Sequence, residues 1–437
     1  MSPDQDRHHR LSPALRLDLD PLIDDPKTRI VVCCGSGGVG KTTTAAALGL
    51  RAAERGRKVV VLTIDPARRL AQSMGIDSLD NTPRRVKDVE GEGELHAMML
   101  DMKRTFDEIV EAHADAERAT AILNNPFYQS LSAGFAGTQE YMAMEKLGQL
   151  RARDEWDLIV VDTPPSRSAL DFLDAPKRLG SFLDGRLIRL LTAPAKLGGR
   201  AGMKFLNVGM SMMTGTLGKL LGGQLLKDVQ TFVAAMDTTF GGFRTRADAT
   251  YKLLQAPGTA FLVVAAPERD ALREAAYFVE RLAAENMPLA GLVLNRVHGS
   301  GADRLSAERA LAAAETLENL EEPRIVDQEG GKAGLRNSPD TYGSSESPAP
   351  ESDSPVDPER TADRLTAGLL RLHADRMQLL SREQRTRDRF TALHPEVAVA
   401  EVAALPGDVH DLAGLRDIGN RLAAGRPELP EPGTDAG

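Results

Sequence analysis

The length, composition and charge of this chain exclude several classes of protein. Its 437 residues are 42% hydrophobic but only 4% aromatic, which suits an α/β protein with a large core rich in alanine and leucine. The formal net charge of −9 argues against a broad basic surface, so we predict no nucleic-acid partner. The two cysteines, Cys33 and Cys34, are sequence neighbours and form neither a disulfide framework nor a CxxC zinc site.

The chain is predicted to be a cytoplasmic protein with one large domain. No apolar run reaches the roughly 18 to 20 residues that span a bilayer, and the N-terminal segment lacks the apolar core of a signal peptide. Residues 1–26 are polar and are predicted to be a flexible tail, as are residues 426–437. The single domain is therefore expected to cover residues 27–425.

Order within this domain begins with a strand, a helix and a second strand. The β-branched runs Arg29–Cys34 and Lys58–Ile64 predict strands, and the alanine-rich segment Thr42–Gly56 between them predicts a helix. Later apolar runs of strand length begin at Leu95, Trp156, Thr259, Leu289 and Glu396. Because continuous hydrophobicity is typical of parallel strands that are covered on both faces, we predict a doubly wound, mainly parallel sheet.

Two segments interrupt the alternation of strands and helices. Residues 176–250 are rich in glycine and methionine and predict an inserted helical subdomain. Its methionines either line an adaptable groove for an apolar helix or belong to ordinary helical core or dimer packing. The methionines in question are Met203, Met210, Met212 and Met213. Residues 327–358 are rich in serine, proline and acids and are predicted to be a disordered insertion.

A glycine-rich phosphate loop follows the first strand. It consists of Gly35, Ser36, Gly37, Gly38, Val39, Gly40, Lys41, Thr42 and Thr43. The loop lies between a strand and a helix, where backbone N–H groups and the helix N-terminus bind the phosphates of a nucleotide. Lys41 is expected to reach the β- and γ-phosphates, Thr42 to ligate Mg²⁺ and Thr43 to donate to the α-phosphate. The predicted ligand is therefore a nucleoside triphosphate with Mg²⁺.

Three polar residues follow later strands and complete the predicted site. Asp162 ends the run from Trp156 and is placed either to hold Mg²⁺, directly or through water, or to serve as a helix-capping or turn aspartate. Asp65 follows the second strand and is placed to orient or deprotonate the attacking water, although an Asp-Pro pair also serves turns. Asn295 offers an amide to a purine edge or is an ordinary turn residue.

These motifs, in this order, resemble the ArsA-type ATPases. That family includes the arsenite-pump ATPase and the cytosolic ATPase that delivers tail-anchored membrane proteins. The motifs are GSGGVGKTT, TIDPARRL, VVDTPPSRSALDFL and LVLNRV, and the similarity extends from Arg29 to Leu422. The stretch GTQEYMAMEKL is similar to bacterial ArsA-related proteins known as anion-transporting ATPases. The resemblance implies ATP as the nucleotide, a dimer with two nucleotides at its interface, Asp65 as the water-activating acid and Asn295 as the adenine contact.

Ser36 departs from the pattern of that family. The resemblance implies a lysine at this position that reaches the nucleotide of the partner subunit, and a short, uncharged serine cannot make this contact. Loss of such a cation costs on the order of 10³-fold in turnover. Three interpretations remain open. We favour a heterodimer with a lysine-containing paralogue; the others are an ATPase that uses Arg68, Arg69 or Arg167, and a weak ATPase that senses nucleotide.

The sequence lacks two sets of ligand residues, and this limits the functions that the resemblance can imply. The chain has no cysteine trio for arsenite and no CxxC pair for an interfacial zinc, so neither ligand is expected. One hypothesis is a Mg²⁺-dependent ATPase whose closing and opening around ATP drives binding and release of an apolar protein client or a membrane partner. The other hypothesis is a nucleotide-binding regulatory or structural subunit with little hydrolysis of its own.

Overall fold

A sheet of eight strands organises the described part of the chain. The computed structural model describes residues 15–65, 69–132, 138–164, 245–319 and 358–424. The strands in these ranges are β1 (Ile30–Cys34), β2 (Lys58–Thr63), β3 (Arg84–Arg85), β4 (Glu94–Met99), β5 (Leu158–Asp162), β6 (Thr259–Ala265), β7 (Leu289–Val297) and β8 (Val399–Ala403). Their order is β3-β4-β2-β5-β1-β6-β7-β8, and only the pair β3 and β4 is antiparallel within these ranges.

Helices connect most of these strands. They are α1 (Leu19–Asp24), α2 (Lys41–Glu54), α3 (Arg69–Ser73), α4 (Met102–His113), α5 (Ala116–Leu123), α6 (Pro126–Ser132), α7 (Thr138–Ala152), α8 (residues 245–255), α9 (Arg269–Ala284), α10 (Ala307–Asn319), α11 (Pro358–Leu393) and α12 (Leu412–Ala424). Among the helices described, none combines the length and the apolar character that are needed to cross a bilayer.

The prediction of a doubly wound, mainly parallel α/β fold is confirmed. All five residues of β1 are buried, and so are all five residues of β5. Successive side chains of a strand point to opposite faces, and the sheet accordingly has an apolar cluster on each face. Val31 and Cys33 belong to one cluster, and Val32 and Cys34 belong to the other. Both cysteines are free and buried, as expected for core residues of a strand.

The carboxyl ends of the central strands meet at one edge of the sheet. β1 lies between β5 and β6, and β2 lies on the far side of β5. Asp162, the last residue of β5, is in register with Cys33 on β1 and with Thr63 on β2. The phosphate loop, Asp162 and the segment that follows β2 therefore share the edge where parallel α/β proteins bind their ligands.

The N-terminal region is more ordered than the sequence predicts. Residues 15–26 were expected to belong to a flexible tail, but they include the helix α1, whose Leu19 and Ile23 are fully buried. Arg16 also forms a parallel bridge with Val399 of the edge strand β8. The prediction of a flexible tail is therefore wrong for residues 15–26. Residues 1–14 and the predicted C-terminal tail lie outside the described residues.

The described residues divide into two compact units, whereas the sequence predicts one domain. The first unit extends up to His298 and resumes at Arg385, and the second unit extends from Gly299 to Gln384. Within the second unit, a ring nitrogen of His373 on α11 lies 2.8 Å from the carbonyl oxygen of Leu305. Of the two predicted insertions, residues 245–250 belong to α8 and residue 358 begins α11. The remaining residues of both insertions lie outside the described ranges.

Candidate functional site

The loop between β1 and α2 makes a tight turn that requires glycine at two positions. Gly35 has a φ of +149°, and a Cβ atom there would lie 2.1 Å from the carbonyl oxygen of Val264 on β6. Gly40 is the N-cap of α2 and has a φ of +94°. A Cβ atom on Gly40 would lie 2.2 Å from Nδ2 of Asn295. The turn leads into the start of α2, whose free N–H groups and positive end are suited to bind phosphate.

Lys41 is the first residue of α2, and its side chain folds back onto the loop. Its Nζ donates a hydrogen bond of 2.8 Å to the backbone carbonyl oxygen of Ser36, and the residue is only 6% exposed. Burial lowers the pKa of Lys41, whereas the negative charges of Asp162 and Asp65 raise it. The ammonium group is thus held by a backbone oxygen that a phosphate oxygen can replace.

Asp162 is completely buried at the end of β5, and its two carboxylate oxygens have different surroundings. Oδ2 accepts hydrogen bonds from Oγ1 of Thr42 at 2.8 Å and from Oγ1 of Thr63 at 2.9 Å. Oδ1 is buried and accepts no hydrogen bond from any residue that the structure describes. Burial raises the pKa of Asp162 to about 6, although the two threonine hydrogen bonds and the charge of Lys41 lower it.

The pairing of Thr42 with Asp162 fits a Mg²⁺ ion. Mg²⁺ prefers oxygen ligands, and in nucleotide sites it is bound by one or two protein oxygens together with phosphate oxygens and water. A buried carboxylate with an unpartnered oxygen is costly unless a cation or a donor compensates it. The oxygen Oδ1 of Asp162 is such an atom, and Thr42 is positioned beside it at the start of α2.

Asp65 lies two residues beyond Thr63, just after β2. Its backbone N–H donates to Oγ1 of Thr63 at 3.2 Å, and its side chain is half-buried. The negative charge of Asp65 raises the pKa of both Lys41 and Asp162, so it lies within electrostatic reach of the phosphate loop. The structure therefore brings Asp65 to the same edge as the loop, as the sequence predicts.

Asn295 on β7 contacts the backbone of the phosphate loop. Its Nδ2 donates a hydrogen bond of 2.9 Å to the carbonyl oxygen of Val39, and the residue is 9% exposed. This hydrogen bond was not anticipated from the sequence, which singled out Asn295 for its amide alone. An adenine contact by Asn295 stays a prediction.

The remaining predicted residues have varied surroundings. Gly37 and Gly38 are exposed at the tip of the loop, Val39 is buried and Thr43 is half-buried. Arg69, one of the three arginines considered as an alternative cation, is exposed at the start of α3. Arg68, Arg167 and the four grouped methionines lie outside the described residues.

Sequence reasoning missed Thr63 as a member of the site. Thr63 is the last residue of β2, and only 1% of it is exposed. Its hydroxyl bonds to Asp162 across the two neighbouring strands. A threonine in a β-branched run is typical of any strand, so the residue type alone did not indicate a role in the site. Its position two residues before Asp65 was the signal available, because alternate residues of an extended segment share a face.

Comparison with known proteins agrees with this geometry. The family model for anion-transporting ATPases matches residues 28–322. ATPase GET3 of Malassezia globosa is 30% identical over 165 residues, which are 38% of this chain and 47% of that protein. ATPase GET3 of Podospora anserina is 24% identical over 338 residues, 74% of this chain and 92% of that protein. ATPase get3 of Aspergillus terreus is 25% identical over 335 residues, 72% of this chain and 91% of that protein.

The family match covers more than half of the chain and includes every strand from β1 to β7. It also includes the phosphate loop, Asp65, Asp162 and Asn295. The match confirms the resemblance that the order of the motifs indicates. The chain therefore belongs to the ArsA-type family of anion-transporting ATPases.

Proposed function

We propose that this chain is a Mg²⁺-dependent ATPase that converts ATP and water to ADP and phosphate. The observation that carries the proposal is the pairing of Thr42 with the buried Asp162, whose second oxygen has no partner among the described residues. Membership of the ATPase family supports this chemistry at a general level. The roles of the individual residues are inferred from their positions in the fold.

The phosphate loop is the proposed binding site for the triphosphate. Backbone N–H groups of residues 35–43 and the positive end of α2 bind the phosphate oxygens. Lys41 exchanges the carbonyl oxygen of Ser36 for oxygens of the β- and γ-phosphates, and Thr43 donates to the α-phosphate. Asn295 contributes indirectly by fastening the loop at Val39, in addition to the adenine contact implied by the family.

Thr42 and Asp162 are the proposed residues that hold Mg²⁺, Asp162 either directly or through water. When bound, Mg²⁺ compensates negative charge on the phosphate oxygens. Thr42 is suited to this role because a hydroxyl oxygen offers lone pairs to a cation while its proton is donated to Oδ2 of Asp162.

Asp65 is the proposed acceptor of the water proton. The water oxygen attacks the γ-phosphorus, the bond from this phosphorus to the β,γ-bridging oxygen breaks, and ADP leaves with the electron pair of that bond. Asp65 orients the water and takes up the proton that it releases. The half-buried carboxylate acts electrostatically on both Lys41 and Asp162, whose pKa values it raises, and this supports the role.

Ser36 makes a heterodimer the assembly that we favour, and the cytoplasm is its proposed location. A paralogue with lysine at the corresponding position would supply a cation to the nucleotide bound by this chain, whereas Ser36 supplies no charge in return. Such a dimer would contain one complete site and one incomplete site. Closing and opening of the dimer around ATP would then drive binding and release of an apolar protein client or a membrane partner.

Ser36 also favours a second function, which is a nucleotide-binding regulatory or structural subunit with little hydrolysis. Phosphate release by the purified chain, measured alone and then with a lysine-containing paralogue, separates the two functions. Release that accelerates with the paralogue supports the heterodimeric ATPase, provided that a Lys41→Ala change in this chain abolishes the acceleration. Tight binding of ATP with slow release in both measurements supports the regulatory subunit.

Titration calorimetry with ATP and Mg²⁺ tests the proposed site directly. We expect the wild-type chain to bind and the Lys41→Ala variant to bind at least about tenfold more weakly, because a hydrogen bond from a charged group contributes about 1.5–3 kcal/mol. Absence of binding by the wild type would contradict the proposal. A Lys41→Ala variant with wild-type affinity would contradict it as well.

A further inference from the structure

The hydroxyl of Thr63 connects the two acidic residues of the site. Its oxygen Oγ1 lies 2.9 Å from Oδ2 of Asp162, to which it donates, and 3.2 Å from the backbone nitrogen of Asp65, from which it accepts. The carbonyl oxygen of Asp65 is more distant from the hydroxyl, at 3.4 Å. A hydroxyl has one proton to donate, and a charged acceptor forms the stronger hydrogen bond. The hydroxyl of Thr63 therefore donates to the carboxylate of Asp162 and not to the carbonyl oxygen of Asp65.

The Asp162 carboxylate needs such a contact to keep a fixed orientation. Rotation about the last bond of an aspartate side chain is broad, with little intrinsic preference for one angle. Two donors, Thr42 and Thr63, converge on the same oxygen, Oδ2, and leave Oδ1 without a partner among the residues described. Thr42 is itself a proposed ligand of Mg²⁺, so Thr63 is the donor on Oδ2 that remains outside the proposed coordination sphere.

We propose that Thr63 is a positioning residue that fixes which oxygen of Asp162 is presented to Mg²⁺ and ties this orientation to the start of the segment that carries Asp65. The inference rests on the proposed function. Thr63 contacts neither nucleotide nor metal in this role and acts through Asp162. Its rigid place at the end of β2, in register with Asp162, suits it to the role because a buried strand holds a side chain more precisely than a loop.

The effect of losing the hydroxyl has a known scale. Removing the hydrogen-bond partner of a metal-binding residue typically costs 10- to 100-fold in metal affinity or activity. We therefore expect Thr63→Val to require about 10- to 100-fold more Mg²⁺ for the same effect on ATP binding. ATP binding in the absence of Mg²⁺ should change little, because among the described residues the hydroxyl of Thr63 forms hydrogen bonds with Asp162 and Asp65 and none with the phosphate loop.

The test measures ATP binding by the full chain at increasing Mg²⁺ concentrations. Binding is monitored by calorimetry or with a fluorescent ATP analogue. The variants are Thr63→Val, which has nearly the same shape, Thr63→Ala and Thr63→Ser, which keeps the hydroxyl. Thr259→Val is the matched control. Thr259 is also a buried strand threonine, on β6, but its hydroxyl donates to the carbonyl oxygen of Leu253. We expect Thr63→Ser and Thr259→Val to need the same Mg²⁺ concentration as the wild type.

The possible outcomes separate this inference from the proposed function. A wild-type chain whose ATP binding does not respond to Mg²⁺ would overturn both. A wild-type chain that responds, together with Thr63→Val and Thr63→Ala variants that respond identically, would overturn the inference alone. A Thr63→Ser variant as impaired as Thr63→Val would also overturn it, because packing and not the hydroxyl would then explain the loss. Should Thr63→Val fail to fold, the Thr63→Ala titration decides.

Discussion

Gly40 and Asn295 occupy adjoining space, and Asn295 leaves no room for a side chain at position 40. A Cβ atom on Gly40 would lie 2.2 Å from Nδ2 of Asn295, the same nitrogen that donates to the carbonyl oxygen of Val39 at 2.9 Å. The hydrogen bond that fastens the phosphate loop to β7 thus fills the volume that a side chain at position 40 would need. The shape of the loop depends on both residues together.

Gly40→Ala is therefore expected to be more damaging than Gly38→Ala. Both glycines have a positive φ, +94° for Gly40 and +76° for Gly38, so either alanine costs about 1–2 kcal/mol of backbone strain. Gly38 has open space around it, whereas Gly40 faces Asn295. We expect Gly40→Ala to lose at least about 1 kcal/mol more in the free energy of urea unfolding. Equal losses in the two variants would contradict the proposed steric role of Asn295.

Much of the fold could be predicted from the sequence because the central strands are buried on both faces. Their continuous apolar runs mark β1, β2 and β5 without any need for tertiary information. The two-residue strand Arg84–Arg85 could not be predicted in this way. Both residues are exposed, and the strand exists only because it pairs with β4 at the edge of the sheet.

The site was also predictable only in part. The phosphate loop follows a known pattern, so its residues were predictable, but the contact of Asn295 with Val39 joins residues far apart in sequence.

The helix α1 was missed because Leu19 and Ile23 stand among acidic residues. One of these, Asp20, forms an ion pair of 2.6 Å with Arg51 on α2, which compensates its charge in the folded chain. The composition around Asp20 gives no indication of its contact with Arg51, which lies on another helix.

The ion pair between Lys146 and Glu108 is expected to stabilise the packing of α7 against α4. Nζ of Lys146 lies 3.0 Å from Oε2 of Glu108, and the side chain of Lys146 is only 5% exposed. We expect Lys146→Met to lower the free energy of unfolding by about 1–3 kcal/mol, less than for a fully buried pair because Glu108 is partly exposed. Urea unfolding measures this change.

A surface pair on α9 provides the control for that measurement. Arg273 pairs with Asp270 at 3.2 Å, and both side chains are exposed, at 71% and 81%. Arg273→Met should change stability by less than about 0.5 kcal/mol, since exposed pairs are screened by water and salt. If the two methionine variants lost equal amounts of unfolding free energy, the burial of Lys146 would not explain how much its ion pair contributes to stability.

Ser36→Lys is expected to accelerate ATP hydrolysis by the isolated chain. In a dimer of two such variant chains, each lysine would supply a cation to the nucleotide of the other chain, and we expect at least about a tenfold gain in phosphate release. Ser36→Ala should leave the rate unchanged, because Lys41 contacts the backbone oxygen of Ser36 and not its side chain. Sedimentation at the assay concentration verifies that the dimer forms. An unchanged rate in a dimeric Ser36→Lys variant would show that the missing cation does not limit turnover.

Asp162 gives the ligand-free chain a characteristic pH dependence. Its pKa is about 6 in the folded chain, because burial raises it, against an ordinary value of 3.8. The folded state therefore binds more protons than the unfolded state between about pH 4 and pH 6, and its stability falls as the pH rises through this window. Above about pH 6 the penalty from the buried charge is complete.

Asp162→Asn should remove that penalty and at the same time abolish the response to Mg²⁺. The asparagine oxygen can still accept from Thr42 and Thr63, but the side chain no longer carries a charge to bury or to attract a cation. Without nucleotide and metal, we expect the variant to exceed the wild type in unfolding free energy by about 1–3 kcal/mol near pH 7.5, with a difference that shrinks toward pH 4. Urea unfolding in the presence of a chelator, repeated across this pH range, measures the difference. A difference that grew toward low pH would contradict the raised pKa of Asp162, and ATP binding that still tightened with Mg²⁺ would contradict its proposed place beside the metal.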